Sequence, residues 1–188
     1  MLIKICGIQT IEAAMEAANT GANLIGFVFA KSKRRIPPFQ AAIIASHLPE
    51  HVKTVGVFVD EPVEKIIEVA KKVNLDFIQL HGKEKPSVAK SLPYKVIKAF
   101  PINEVTESIR SYPCSYYLID SASGIYRGGS GKTFDWEIIN HLPIDRNKLI
   151  LAGGLTPENI SLAITAVKPA RVVVSSGVET NGIKDSLK

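Results

Sequence analysis

The chain has 188 residues, of which 46% are apolar and 22% charged, and it carries a net charge of +5. That length suits one domain with a sizeable core, and no apolar run approaches the ~18 residues of a membrane span. The positive excess is dispersed except for Lys31-Ser32-Lys33-Arg34-Arg35, short of the basic stripe with motif support that marks a nucleic-acid binder. Neither nucleic acid nor a membrane is an expected partner.

Taken in chain order, the sequence alternates short apolar runs with helical patterns. Met1–Lys4 leads straight into a first strand, Leu2–Cys6, with no charged n-region and long apolar h-region, so no export is expected. Thr10–Asn19 follows with Ile11, Ala14, Met15 and Ala18 at helical spacing, Thr10 as cap and Gly21 as stop. The second strand is Leu24–Phe29 and the next helix Gln40–His47, after Pro37-Pro38. Thr54–Val59 precedes a helix over Glu61–Lys72 that sets Val63, Ile66, Ile67 and Ala70 on one side, with Pro62 in its first turn. Phe77–Leu80 and Lys95–Ala99 read as strands four and five, with short helices near Pro86–Ser91 and Glu104–Arg110. Tyr116–Ile119, Leu149–Leu151 and Arg171–Val174 complete eight strands, and Pro157–Val167, capped by Thr156, gives the last helix.

The strands are apolar and often β-branched, as expected when both faces are buried in a parallel sheet. Starts recur every ~20–30 residues, the length of a βα unit. Eight such units in one domain spanning residues 1–188 favour a closed (β/α)8 barrel, the TIM-barrel class, over an open doubly wound sheet. Ser175 to Lys188, with the turn signal Asn181-Gly182, leaves no room for an ordinary eighth helix. A short or missing eighth helix is therefore expected, with an apolar flank open to self-association.

In such a barrel, reactive groups sit at the C-terminal strand ends and in the loops beyond them. Cys6 ends strand one. A free cysteine is often only a small hydrophobe, but a thiolate in this place can act as a base. Asp120 ends strand six, where a turn or cap residue competes with a general acid. Arg34 or Arg35 could grip a carboxylate with a bidentate fork. Gln79 and His81 close strand four and face the same mouth. Gly153 and Gly154 after strand seven, with Ser175, Ser176 and Gly177 after strand eight, form the better phosphate candidate, since their backbone N–H groups can approach an anion. Gly128, Gly129 and Gly131 precede Lys132-Thr133, but Tyr126 stands where a Walker loop needs glycine, so this stretch reads as a lid over the mouth. The two cysteines, Cys6 and Cys114, lie far apart and the four histidines show no ligand spacing. A reduced cytoplasmic setting and no metal are expected.

Lys4-Ile5-Cys6-Gly7-Ile8, Gly26-Phe27-Val28-Phe29, Lys31-Ser32-Lys33-Arg34, Val55-Gly56-Val57-Phe58-Val59, Gln79-Leu80-His81-Gly82, Gly128 to Trp136, Ala152-Gly153-Gly154-Leu155 and Ser175 to Glu179 occur together and in order. In this the chain resembles the phosphoribosylanthranilate isomerases of tryptophan biosynthesis, over nearly its whole length. The resemblance implies an Amadori rearrangement of a phosphorylated aminoaldose to an aminoketose. It implies Cys6 as general base, Asp120 as general acid, Arg34 at the anthranilate part and the glycine–serine turns at the phosphate. It implies a phosphosugar substrate, no cofactor, and a monomer or homodimer. One departure stands out: Val173 occupies the place of an acidic residue in the family's Val-Asp-Val-Ser-Ser pattern. A catalytically silent phosphate-ligand binder and another phosphosugar barrel enzyme remain the alternatives.

Overall fold

The computed structural model describes residues 1–121, 134–142 and 144–188. Eight parallel strands close into a barrel in sequence order: β1 (Leu2–Cys6), β2 (Leu24–Val28), β3 (Lys53–Phe58), β4 (Phe77–Leu80), β5 (Lys95–Pro101), β6 (Tyr116–Asp120), β7 (Leu149–Leu151) and β8 (Arg171–Val174). Closure is made by β1 against β8, with Leu2 opposite Arg171 and Lys4 opposite Val173. The strands lie close to the apolar runs of the sequence, because a strand buried on both faces has no polar alternation to blur its ends.

The outer layer follows the helical patterns over the first half. Helix α1 (Ile11–Asn19) starts where expected, the Thr10 side chain accepting from the Ala13 N–H. Helices α2 (Pro38–His47) and α3 (Val63–Val73) follow, with Pro62 at the cap rather than inside the first turn. Helix α4 (Pro86–Ser91) is short. Ile66, Ile44 and Ala14, at most 1% exposed, seal these helices onto the strands.

The second half departs from expectation. Glu104–Arg110 is not an α-helix but two 3-10 turns, Ile102–Glu104 and Glu107–Ser111, with Thr106 extended between them. Pro101 and Pro113 bracket the segment, and β-branched Val105 and Thr106 favour the break. Between β6 and β7 the described residues hold the 3-10 turns Trp136–His141 and Arg146–Lys148. Helix α5 (Ile160–Val167) begins three residues later than expected. The Thr156 side chain does not cap it; instead the Asn159 side chain turns back to accept from the Thr156 N–H at 2.9 Å.

After β8 comes a 3-10 turn, Ser176–Val178, then an antiparallel hairpin of β9 (Glu179–Thr180) and β10 (Ile183–Lys184). Asn181 and Gly182 form its turn with φ of 53° and 81°, the pair of left-handed residues a two-residue hairpin favours. Among the described residues no helix is long and apolar enough to cross a membrane.

Inside the barrel, Phe77 and Tyr116 meet near the N-terminal strand ends with ring centroids 6.2 Å apart, and the Arg171 guanidinium lies 3.8 Å over Tyr116. Leu24, Val55, Ile97, Leu118, Ile150 and Val173 fill the interior. Toward the C-terminal ends the interior residues shrink to Cys6, Ala99 and Ala152, beside the polar Gln79 and Asp120. That change from bulk to small and polar side chains positions the site.

Candidate active site

Alternation along β1 turns Ile3 and Ile5 outward, into the clusters under the outer layer, while Cys6 joins the interior. Lys4 shares the face of Cys6 and is 1% exposed. Its Nζ donates to Cys6 Sγ at 3.1 Å and to Gln79 Oε1 at 2.8 Å. On β4 the Gln79 amide nitrogen lies 2.9 Å from His81 Nδ1, and His81 Nε2 lies 3.6 Å from Asp120 Oδ2. A continuous line of polar side chains therefore runs across the barrel mouth from the sulfur on β1 to the carboxyl on β6. Asp120 is fixed at its other oxygen, where Oδ1 accepts from the Ser121 N–H at 2.8 Å.

A buried ion pair braces the loop that carries His81. Lys98 Nζ lies 3.2 Å from Glu84 Oε2 and donates to the Gly82 carbonyl at 2.8 Å. Glu84 in turn accepts from the N–H groups of Asp60 and Gly82 at 2.9–3.0 Å. Breaking one partner of such a pair leaves a buried charge unmatched, which is strongly destabilising.

Gly153 and Gly154 take φ of 89° and 62°, left-handed values that side chains resist. A Cβ at Gly153 would stand 2.6 Å from the Ser121 nitrogen and 3.2 Å from Asp120 Oδ1. Neither glycine N–H donates to another described residue, which leaves both for an anion. Ser176 and Gly177 open the 3-10 turn after β8 beside this loop, and a Cβ at Gly177 would collide with the Leu155 carbonyl. Ser175 is used differently: its hydroxyl donates to the Cys6 carbonyl at 3.0 Å, and its own carbonyl accepts from Lys184 Nζ at 2.9 Å. Its side chain clasps the end of β1.

Arg34 is buried, and its fork is already engaged. Nε and Nη2 donate to Glu179 Oε1 and Oε2 at 2.6 and 2.9 Å, leaving Nη1 outside the pair. Its aliphatic stem crosses Gly7 so closely that a Cβ there would collide with Arg34 Cδ. Lys184 Nζ reaches Glu179 Oε1 at 2.8 Å from the C-terminal hairpin. Burial works to raise the Glu179 carboxyl, but the bonds and charges of Arg34 and Lys184 outweigh it and hold the group at about 2.

The structure thus brings Cys6, Gln79, His81, Asp120, Arg34 and the two phosphate-candidate turns to one end of the barrel. Gly128, Gly129 and Gly131 lie outside the described residues. Lys4, Glu179, Lys184 and the Lys98–Glu84 pair were absent from the sequence-based set. Only Lys4 carried a usable signal, its two-residue spacing from Cys6 on a short strand. Among the described residues no group of three or more His, Cys, Asp or Glu side chains could hold a metal ion.

Residues 3–188 match the family model described as N-(5'phosphoribosyl)anthranilate (PRA) isomerase. The chain is 46% identical to N-(5'-phosphoribosyl)anthranilate isomerase of Listeria monocytogenes serotype 4a, over 100% of this chain and 94% of that protein. Among solved structures, phosphoribosyl anthranilate isomerase from Thermus thermophilus superposes with a TM-score of 0.91 at 36% identity, covering 100% of this chain and 94% of that one. A phosphoribosyl anthranilate isomerase in complex with reduced 1-(o-carboxyphenylamino)-1-deoxyribulose 5-phosphate superposes with a TM-score of 0.81 at 39% identity, covering 99% and 93%. With the family model matching nearly the whole chain and a closed eight-stranded barrel in place, this chain belongs to the N-(5'-phosphoribosyl)anthranilate isomerase family.

Proposed function

We propose that this chain, as one domain, isomerises N-(5'-phosphoribosyl)anthranilate to 1-(2-carboxyphenylamino)-1-deoxyribulose 5-phosphate, with Asp120 as general acid and Cys6 as general base. The observation that carries the reading is the polar line from Cys6 through Lys4, Gln79 and His81 to Asp120, next to two unengaged glycine N–H groups. It offers a base, an acid and an anion seat at one end of one barrel.

The chemistry then follows from bond order. Asp120 gives a proton to the furanose ring oxygen as the C1–O bond breaks, and the nitrogen lone pair forms C1=N. That imine acidifies the C2 hydrogen. The Cys6 thiolate takes it, and the electron pair moves to give the C1=C2 enolamine. A proton added at C1 and one lost from the C2 hydroxyl give the ketone. Hydrogen moves within the substrate, so no external oxidant or reductant enters.

In this reading the phosphate sits on the N–H groups of Gly153 and Gly154, with Ser176 and Gly177 beside them. Its binding energy is spent on orienting the sugar between acid and base. Arg34 meets the anthranilate carboxylate through Nη1, because Glu179 occupies the rest of its fork. Ser175 supports the site by holding the Cys6 carbonyl. The two free cysteines suit a reducing cytoplasmic location, and the reading extends to a monomer or homodimer.

The test follows the loss of substrate fluorescence on turnover. Cys6→Ala and Asp120→Asn should each lower kcat by about 10²–10⁴-fold, as removal of a general acid or base does. A native chain that binds product without turning substrate over would overturn the enzymatic reading.

A further inference from the structure

The mechanism leaves one buried charge unused. Lys4 is among the largest fully buried side chains of the protein, at 1% exposure. The other buried cations at this end of the barrel have carboxylates: Arg34 and Lys184 share Glu179, and Lys98 has Glu84. Lys4 has no carboxylate within ion-pair distance among the described residues. Its strand neighbours in the register, Leu24 and Val173, are apolar. Its ammonium touches a neutral amide oxygen and one sulfur, at 2.8 and 3.1 Å.

A buried ammonium bonded only to neutral groups is strongly disfavoured, and such groups are normally paired. Of the two atoms Lys4 touches, only the sulfur can carry a negative charge. Gly26, the register partner of Cys6, keeps the contact open. A Cβ there would stand 2.8 Å from Cys6 Sγ and 3.0 Å from Lys4 Nζ.

We infer that Lys4 and Cys6 form an ammonium–thiolate pair, in which Lys4 keeps the base in its proton-accepting form. Lys4 is then a positioning residue for the isomerisation. The inference rests on the reading of Cys6 as the base. Other charges face the sulfur as well. Lys184 senses it from β10, but that ammonium is bound to Glu179, which also binds Arg34. Across the mouth, His81 and Asp120 lie beyond Gln79. Lys4 is the cation in direct contact.

The experiment measures alkylation of Cys6 by iodoacetamide, read by intact mass in a Cys114→Ser background. An opposite charge at contact distance favours the ionised form by a factor of about ten or more. Lys4→Met should therefore slow Cys6 alkylation at pH 7 by at least about ten-fold. Lys4→Arg should retain most of the native rate, and kcat should follow the alkylation rate while KM moves little. Equal alkylation of native and Lys4→Met chains at pH 7 overturns the pair.

Should Lys4→Met not fold, Val173→Asp gives Lys4 a carboxylate on the adjoining strand. It should slow the same reaction several-fold, and an unchanged rate overturns the inference. The two readings fail separately. If Lys4 governs alkylation while Cys6→Ala still turns over substrate, the pair stands and the base assignment falls. If Cys6→Ala is inactive while alkylation ignores Lys4, the base stands and the pair falls.

Discussion

The two halves of the barrel share one strand pattern and differ in what covers it. From β1 to β4 the cover is three helices of 9, 10 and 11 residues. From β5 to β8 the described cover is 3-10 turns of three to six residues and one eight-residue helix. Each half still closes a buried apolar cluster over its strands, around Ile66 and Ile78 in one and Ile139 and Leu151 in the other. Burial of apolar area, not helical regularity, holds the strand layer in place. The site draws on both sides: the sulfur from the regular half, the carboxyl and both glycine–serine turns from the irregular one.

The largest effect on stability tests that contrast. Ile66 and Ile139 are both fully buried, the first on an α-helix and the second on a 3-10 turn. Ile66→Ala should cost about 2–5 kcal/mol, the usual range for a large-to-small core change. Ile139→Ala should fall near the low end, about 2 kcal/mol, because a short turn can settle into the space more readily than a packed helix. Denaturant unfolding of the two variants measures both, and a larger loss for Ile139→Ala would reverse the comparison.

A smaller effect sharpens the seam between the halves, where Arg34 from the loop after β2 meets Glu179 from the C-terminal hairpin. The Glu179 carboxyl is lowered from 4.5 to about 2. A lowered folded-state value contributes stability that is complete above the unfolded value and is lost as pH falls toward the folded one. Stability should therefore decline between about pH 4.5 and about pH 2 as Glu179 takes up a proton. Glu179→Gln should be less stable at neutral pH and lack that part of the decline. Urea midpoints across the window measure it, and parallel curves for both chains would remove Glu179 from the seam.

The strands could be read from the sequence to within about two residues, because short apolar runs such as Leu149–Leu151 recur at the spacing of βα units. Helices α1 and α3 could be read for a related reason, each having a stripe and a boundary signal, while α2 was marked only by its proline boundary. Glu104–Arg110 misled because its charged and apolar spacing fits a helix, while the β-branched pair Val105 and Thr106 breaks it into two turns. Cys6 and Asp120 could be located because strand ends point at the mouth. Lys4 was missed because lysine in a strand is ordinarily a solvent-facing residue, and its burial depends on barrel closure. Glu179 and Lys184 depend on how the hairpin folds back onto Arg34, a tertiary contact separated by 145 positions that no local pattern encodes.

The most direct measurement is a crystal structure of this chain with the reduced carboxyphenylamino-deoxyribulose phosphate bound. The sugar carbons C1 and C2 should lie between Cys6 Sγ and the Asp120 carboxyl, with the phosphate on the N–H groups of Gly153 and Gly154 and the carboxylate against Arg34 Nη1. A phosphate seated elsewhere, or a sulfur and carboxyl reaching the ligand from the same side, would contradict the account.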